Sequence, residues 1–163
     1  MGRFSESIVG MSAFIGRIDP NRGDALGLIT FGSTAEVKVP LQSASTSVNA
    51  IGSSIASLEA NGRTALLDAL ILAWNELKSW REHVRAIVVL TDGMENSSQT
   101  SVREVVRVFS SERRHSIVAF GLAYGSDADE ELLRNLCELT GGSLLKGAIT
   151  NVSEVFSIIA QKL

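Results

Sequence analysis

The apolar positions along the chain follow two patterns, which predict strands and helices in alternation. Short runs in which nearly every residue is apolar are typical of strands buried on both faces of a sheet. Apolar residues three and four positions apart indicate amphipathic helices. The predicted strands are Ala25–Phe31, Ala35–Val39, Ala86–Leu90, Ser116–Gly121 and Ser143–Lys146, and the predicted helices are Phe4–Ile18, Val48–Leu58, Ala65–Trp80, one that Ser101 opens, Asp129–Leu139 and Val152–Ile159.

Turn and capping residues mark the ends of these elements. Gly32-Ser33-Thr34 separates the first two strands and predicts a hairpin, and Pro40 is expected to end the second strand at an edge of the sheet. Ser101 followed by Glu104 matches a capping box, in which each residue satisfies an N–H group of the other. Gly141-Gly142 suits the C-terminal stop of the helix before it.

The order of the elements predicts the fold class. After the hairpin, strands alternate with helices, which implies right-handed crossovers between parallel strands. We therefore predict a single α/β domain over residues 1–163. Its architecture is a doubly wound, mostly parallel sheet with helices on both faces and one antiparallel edge hairpin.

Composition excludes several classes of protein. Of the 163 residues, 45% are hydrophobic and 20% charged, so the chain has enough apolar material to form a core. The net charge is 15 − 18 = −3, and this lack of basic excess argues against a nucleic-acid partner. Cys137 has no second cysteine to pair with and is expected to be buried beside Leu133 and Leu136.

The sequence also allows expectations about membrane contact and about the compartment of the chain. No uninterrupted apolar stretch, Ala86–Leu90 included, approaches the ~20 residues of a membrane span. The first residues lack the basic region, apolar segment and cleavage site of a signal peptide. We therefore expect no membrane contact by this chain, and the balance favours the cytoplasm.

Two polar positions stand where ligands collect in open α/β sheets, at the carboxyl ends of strands. Asp92 follows an apolar strand directly, and Thr64 precedes a helix. A carboxylate and a hydroxyl are ligands for a hard cation such as Mg²⁺. Each also has a purely structural interpretation, because Asp-Gly is a common turn and a threonine can cap a helix. Asp68 is expected to interact with the dipole of that helix rather than with a ligand.

No motif supports catalysis. The chain contains no nucleophile elbow, no phosphate-binding loop and no dinucleotide fingerprint. We therefore expect that it is not an enzyme.

Several of these segments, in their order and spacing, resemble one known family, the von Willebrand factor A domain. The segments are Gly23–Phe31, Gly62–Leu66, Val88–Gly93, Ala119–Leu122 and Thr140–Gly142, and together they span nearly the whole chain. The resemblance implies a doubly wound sheet and a metal-ion-dependent adhesion site for Mg²⁺ or Mn²⁺. It assigns metal-binding roles to Thr64 and Asp92, and it implies that a partner protein contributes a carboxylate to the metal.

The family's third metal motif, Asp-x-Ser-x-Ser after a central first strand, does not occur in this sequence. Met1–Ser5 resembles the continuation just past that motif, so either the chain is a truncated form or a shortened form has lost metal binding; we favour truncation. The loss predicts a gap between Ala25–Phe31 and Ala86–Leu90, with self-association through the open strand edges. It also predicts weak or absent binding of Mg²⁺ and Mn²⁺ by this chain.

The resemblance leaves two functions open. The first is a protein-binding module, metal-dependent in its complete form. The alternative is a domain that recruits a partner to an ATP-driven, chelatase-like enzyme assembly, with catalysis elsewhere. An ATPase segment beside this domain in the parent gene would favour the second.

Overall fold

Strands and helices alternate through the parts of the chain that the computed structural model describes, residues 23–59, 63–80, 85–91, 94–111, 117–123 and 129–146. The predicted helices Phe4–Ile18 and Val152–Ile159 lie outside these residues. The strands are β1 (Ala25–Phe31), β2 (Ala35–Ser43), β3 (Arg85–Thr91), β4 (Ile117–Ala123) and β5 (Leu144–Lys146). The helices are α1 (Ala44–Ala56), α2 (Leu66–Leu77), α3 (Val102–Ser110) and α4 (Glu130–Leu139).

β1 and β2 form the predicted antiparallel hairpin, in which Phe31 pairs with Ala35 across the turn. The prediction that Pro40 ends β2 is wrong, because the strand continues to Ser43. Among the described strands β2 pairs with β1 alone, so its outer edge needs no N–H donor. An exposed proline is therefore tolerated inside this strand.

β3, β4 and β5 form the predicted parallel sheet, in that order. The register between β3 and β4 is continuous, from Arg85 opposite Ile117 to Thr91 opposite Ala123. Every residue of β4 is buried, as expected of an all-apolar strand covered on both faces. Among the described strands, β5 pairs with β4 alone, which agrees with its predicted edge position.

The hairpin and the parallel sheet are separate sheets in the described residues, with no hydrogen-bonded ladder between β1 and β3. This break is at the place where the sequence predicts a missing strand. Helix α2 joins the two parts, because its Leu70 packs in one cluster with Val89 of β3, and Phe31 of β1 packs against that cluster. The Leu41 N–H of β2 also donates to Glu76 Oε2 of α2, at 2.9 Å.

The other helices pack against the hairpin and the parallel sheet. Ile51 and Ile55 of α1 pack against Val39 of the hairpin. α3 and α4 contribute to the same core cluster as α2, in which Trp74 stacks on Phe109 with ring centroids 5.5 Å apart. None of the described helices is long and apolar enough to cross a membrane.

Helix α4 ends as the sequence predicts, at two glycines. The Gly141 N–H donates to the Glu138 carbonyl and the Gly142 N–H to the Cys137 carbonyl, with Gly141 at φ +85°. This is the Schellman arrangement, which requires a left-handed residue after the helix. The buried Thr140 hydroxyl accepts from the Ala119 N–H of β4, so the helix end is fixed to the sheet.

Helix boundaries differ from the predictions where the sequence lacks apolar spacing. α1 begins at Ala44 rather than near Val48, because its first turn, Ala44–Ser47, contains small and polar residues. α2 ends at Leu77 rather than near Trp80. At α3, the Ser101 hydroxyl accepts from the Glu104 N–H at 3.1 Å, so that half of the predicted capping box is present.

Candidate functional site

Thr64 lies at the carboxyl edge of the hairpin, beside the segment that follows β3. The Thr64 N–H donates to Asn96 Oδ1 at 3.0 Å, and the Asn96 N–H donates to the Thr64 carbonyl at 3.1 Å. The neighbouring Ala65 N–H donates to the carbonyl of Gly32, directly after β1. The carboxyl end of β1 and the segment that follows β3 therefore meet at Thr64. Asp92, its predicted companion, lies outside the described residues, so their proximity stays a prediction.

The structural interpretation of Thr64, as a helix cap, is wrong. The N-cap position of α2 is Ala65, and no side chain caps it locally. Instead, the N–H groups at the start of α2 donate to the segment after β3: Leu67 N–H to Glu95 Oε2 at 2.9 Å, and Asp68 N–H to Ser98 Oγ at 3.0 Å. The Thr64 side chain is therefore not needed to satisfy the helix.

Residues 94–100, which we call the edge loop, are fixed by two carboxylates. Glu95 Oε1 accepts from the Ser97 and Ser98 N–H groups, at 3.1 and 2.7 Å. The Asp68 carboxylate accepts from the next two, Gln99 and Thr100, at 3.0 and 2.9 Å. Four consecutive backbone donors thus end on ionisable acceptors, and such charge-assisted bonds are stronger than neutral ones.

Asp68 lies in the first turn of α2 as expected, and it has a further partner that the sequence did not predict. Besides occupying the first turn of α2, where a negative charge is favourable, it binds the far end of the edge loop. Desolvation opposes its ionisation, but hydrogen bonds from the Thr100 side chain and from the backbone of Thr100 and Gln99 outweigh it. Together they lower the pKa of Asp68 below its ordinary value of 3.8.

Asp68→Asn is expected to destabilise the chain at neutral pH, and the difference from the unaltered chain should shrink in acid. Because the folded pKa lies below 3.8, the ionised carboxylate contributes stability that is full above that value. This contribution is lost as the pH falls through the lowered folded pKa. Urea denaturation of both chains at a series of pH values measures the difference. A difference that stays constant into strong acid would contradict this assignment, and Glu59→Gln, an exposed acid after α1, is the control.

The described residues do not by themselves complete a metal site. No group of three or more His, Cys, Asp or Glu side chains within them can hold an ion. The carboxylates of Glu95 and Asp68 are already committed to backbone N–H groups. Thr64 alone fits, as a neutral oxygen ligand, and the predicted metal role of Asp92 falls on a residue that the structure does not describe.

Sequence reasoning missed Glu95, to which it assigned no role. Its partners at Leu67 and Ser98 include one that is 28 residues away in the chain, and no local spacing indicates such a bond. The contact with Ser98 had a local signal, because serine side chains readily form hydrogen bonds with groups a few residues away. Cys137 is buried as expected, and desolvation, followed by the nearby Glu138 charge, raises the pKa of its thiol to about 12.

Comparison with known proteins identifies the relatives of this chain. A family model described as von Willebrand factor type A domain matches residues 2–158. No curated protein matches the sequence.

Solved structures of this type share the fold. The von Willebrand factor type A structure from Catenulispora acidiphila is 20% identical, with a TM-score of 0.79, over 96% of this chain and 37% of that one. The conserved hypothetical protein BatB from Bacteroides thetaiotaomicron is 17% identical (TM-score 0.74), over 98% of this chain and 89% of that one. The manganese-loaded TRAP protein of Plasmodium vivax is 14% identical (TM-score 0.73), over 96% of this chain and 65% of that one. This chain thus spans little more than a third of the Catenulispora protein, and at these identities the likeness concerns the fold.

Proposed function

Because the chain belongs to the von Willebrand factor type A domain family, we propose that it is a protein-binding module that docks its partner at the carboxyl edge of the sheet. Thr64 and Asp92 are its metal-binding residues, and a divalent ion strengthens binding in the complete domain. The partner supplies a carboxylate to that ion. Catalysis has no part in the proposal.

The fixed position of Thr64 is the observation that carries the proposal. Its N–H donates to Asn96 Oδ1 and its carbonyl accepts from the Asn96 N–H, so its main chain is held on both sides. The neighbouring Ala65 N–H donates to the Gly32 carbonyl directly after β1, so Thr64 lies at the carboxyl end of that strand. A threonine hydroxyl is a neutral oxygen ligand of the kind that Mg²⁺ accepts, and a fixed position is what a ligand to a metal or a partner requires.

The surface around Thr64 suits contact with a protein. Met94 is 58% exposed at the start of the edge loop, and the side chains of Asn96 and Gln99 are exposed further along. Methionine adapts to irregular apolar surfaces, and it is enriched in protein interfaces. A net charge of −3 makes a polyanion a poor alternative partner.

The affinity for metal alone should be low in this chain. Mg²⁺ requires several oxygen ligands in octahedral arrangement and loses its water reluctantly. Thr64 is neutral and Asp92 supplies one charge, so water would fill most positions. We expect dissociation constants in the millimolar range or weaker, which corresponds to about 4 kcal/mol or less.

Thr64→Val tests the proposal, since valine keeps the shape of threonine and removes only the hydroxyl. The immobilised chain and its variants are exposed to extract of the source cells with Mn²⁺ or with a chelator, and bound proteins are quantified. We expect a specific protein to be retained by the unaltered chain and lost at least tenfold in Thr64→Val, with the melting temperature unchanged.

Thr46→Val is the matched control. Thr46 is exposed in the first turn of α1, near the opposite edge, where the Ala44 N–H bonds the Asp24 carbonyl. Its substitution should leave retention unchanged. Equal retention by all three chains would refute the proposed site, and so would equal loss in both variants.

A further inference from the structure

The edge loop connects three parts of the chain: β3, α2 and the hairpin. It follows β3, its Glu95 and Ser98 accept N–H groups of α2, and its Ser97 hydroxyl donates to the Ser33 carbonyl in the hairpin turn at 2.7 Å. The hairpin and the parallel sheet share no strand ladder in the described residues. The edge loop is therefore a polar connection across that break, at the edge where Thr64 lies.

Glu95 is the centre of this connection. Oε1 accepts from the Ser97 and Ser98 N–H groups, and Oε2 accepts from the Ser98 hydroxyl at 2.8 Å and from the Leu67 N–H at 2.9 Å. The first three bonds shape the loop, and the last attaches it to α2. One carboxylate thus fixes both the conformation of the loop and its place beside Thr64.

We propose that Glu95 is the positioning residue of the binding edge: it holds the edge loop against α2 before any metal or partner arrives. The inference rests on the proposed function, since it concerns the same site. It adds that the Thr64 side of the site is preorganised by the chain's own carboxylate. Binding then does not bear the cost of ordering the loop, a cost that otherwise weakens association.

Amide hydrogen exchange of the unaltered chain and of Glu95→Gln, without metal, tests this directly. The glutamine keeps one acceptor oxygen but turns N–H donors toward backbone N–H groups. We expect exchange at Ser97, Ser98 and Leu67 to accelerate about 10- to 100-fold, as for lost hydrogen bonds to a charged group. Exchange in β4 should stay the same, whereas a merely structural role would accelerate both regions.

Glu95→Asp separates the two functions of the carboxylate. Its side chain is one methylene shorter, so it still reaches the nearby Ser97 and Ser98 N–H groups but no longer spans to Leu67. We expect it to restore protection at the two serines and not at Leu67. Glu104→Gln is the control, because Glu104 is an exposed acid on α3 whose side chain pairs with Arg107, at 3.9 Å; it should change none of these rates.

These experiments distinguish a failure of the positioning role from a failure of the proposed function. Exchange in Glu95→Gln that equals that of the unaltered chain, or that rises equally in β4, overturns the positioning role. In the retention assay, Glu95→Gln should also weaken Thr64-dependent binding at least tenfold. If the unaltered chain retains no partner while the loop protection behaves as expected, the proposed function is what fails.

Discussion

Gly142→Ala is expected to destabilise the chain by about 3 kcal/mol, near the upper end of the usual cost of overpacking. A Cβ at this position would overlap the carbonyl oxygen of Ala119 in β4. Backbone atoms cannot rotate away as a flexible side chain does, so β4 and the segment leading to β5 would have to separate. The Gly142 N–H bond to Cys137 that ends α4 would be disturbed as well. Urea denaturation measures the change in the free energy of unfolding.

Gly52→Ala is the matched control, with the opposite sign expected. Gly52 is exposed within α1, and a Cβ there would meet nothing within 4 Å. Alanine is the better helix former, so this variant should gain about 0.5–1 kcal/mol. Two variants that differ little in stability would contradict the close approach of Gly142 to β4.

The second large effect concerns the break in the sheet. In the described residues β1 pairs only with β2, and β3 pairs on one side only, with β4. Buried backbone groups without partners cost about 1–3 kcal/mol each, and open strand edges pair with other chains. We expect the chain to self-associate as its concentration rises, and sedimentation velocity over a concentration series measures this.

Adding an apolar strand and an Asp-x-Ser-x-Ser segment before Met1 should reverse this behaviour. A strand that pairs with both β1 and β3 satisfies several backbone groups at once. The extended chain should then be monomeric and several kcal/mol more stable, at about 1–3 kcal/mol for each buried group satisfied. A chain that is monomeric at every concentration and gains no stability from the addition would contradict this account of the break.

Local patterns predicted the strands well, because a buried strand carries its signal in its own residues. The apolar run Ala25–Phe31 is a strand with those bounds, and the run Ala86–Leu90 lies within β3. The end of β2 was mispredicted because the effect of Pro40 depends on which strand lies beside it. That neighbour is a property of the sheet and not of the segment.

The candidate site was only partly predictable, for a similar reason. Thr64 was found because it precedes a helix in a recognisable spacing, and the resemblance gave it a role. Glu95 accepts a hydrogen bond from Leu67, and Asp68 accepts hydrogen bonds from Gln99 and Thr100. Each of these bonds joins segments that are about 30 residues apart in the chain. Propensity and periodicity concern neighbours in the chain, so they give no information on which loop meets which helix.

Calorimetric titration with Mn²⁺ tests the central claim, that the edge at Thr64 is a metal-dependent binding site, most directly. The chain as it stands should bind with a dissociation constant of about 1 mM or weaker, and the chain extended by the Asp-x-Ser-x-Ser segment should bind at least 100-fold more tightly. Thr64→Val and Asp92→Ala should each abolish that gain, while Thr46→Val should keep it. Micromolar binding by the present chain that survives both Thr64→Val and Asp92→Ala would show that the site lies elsewhere.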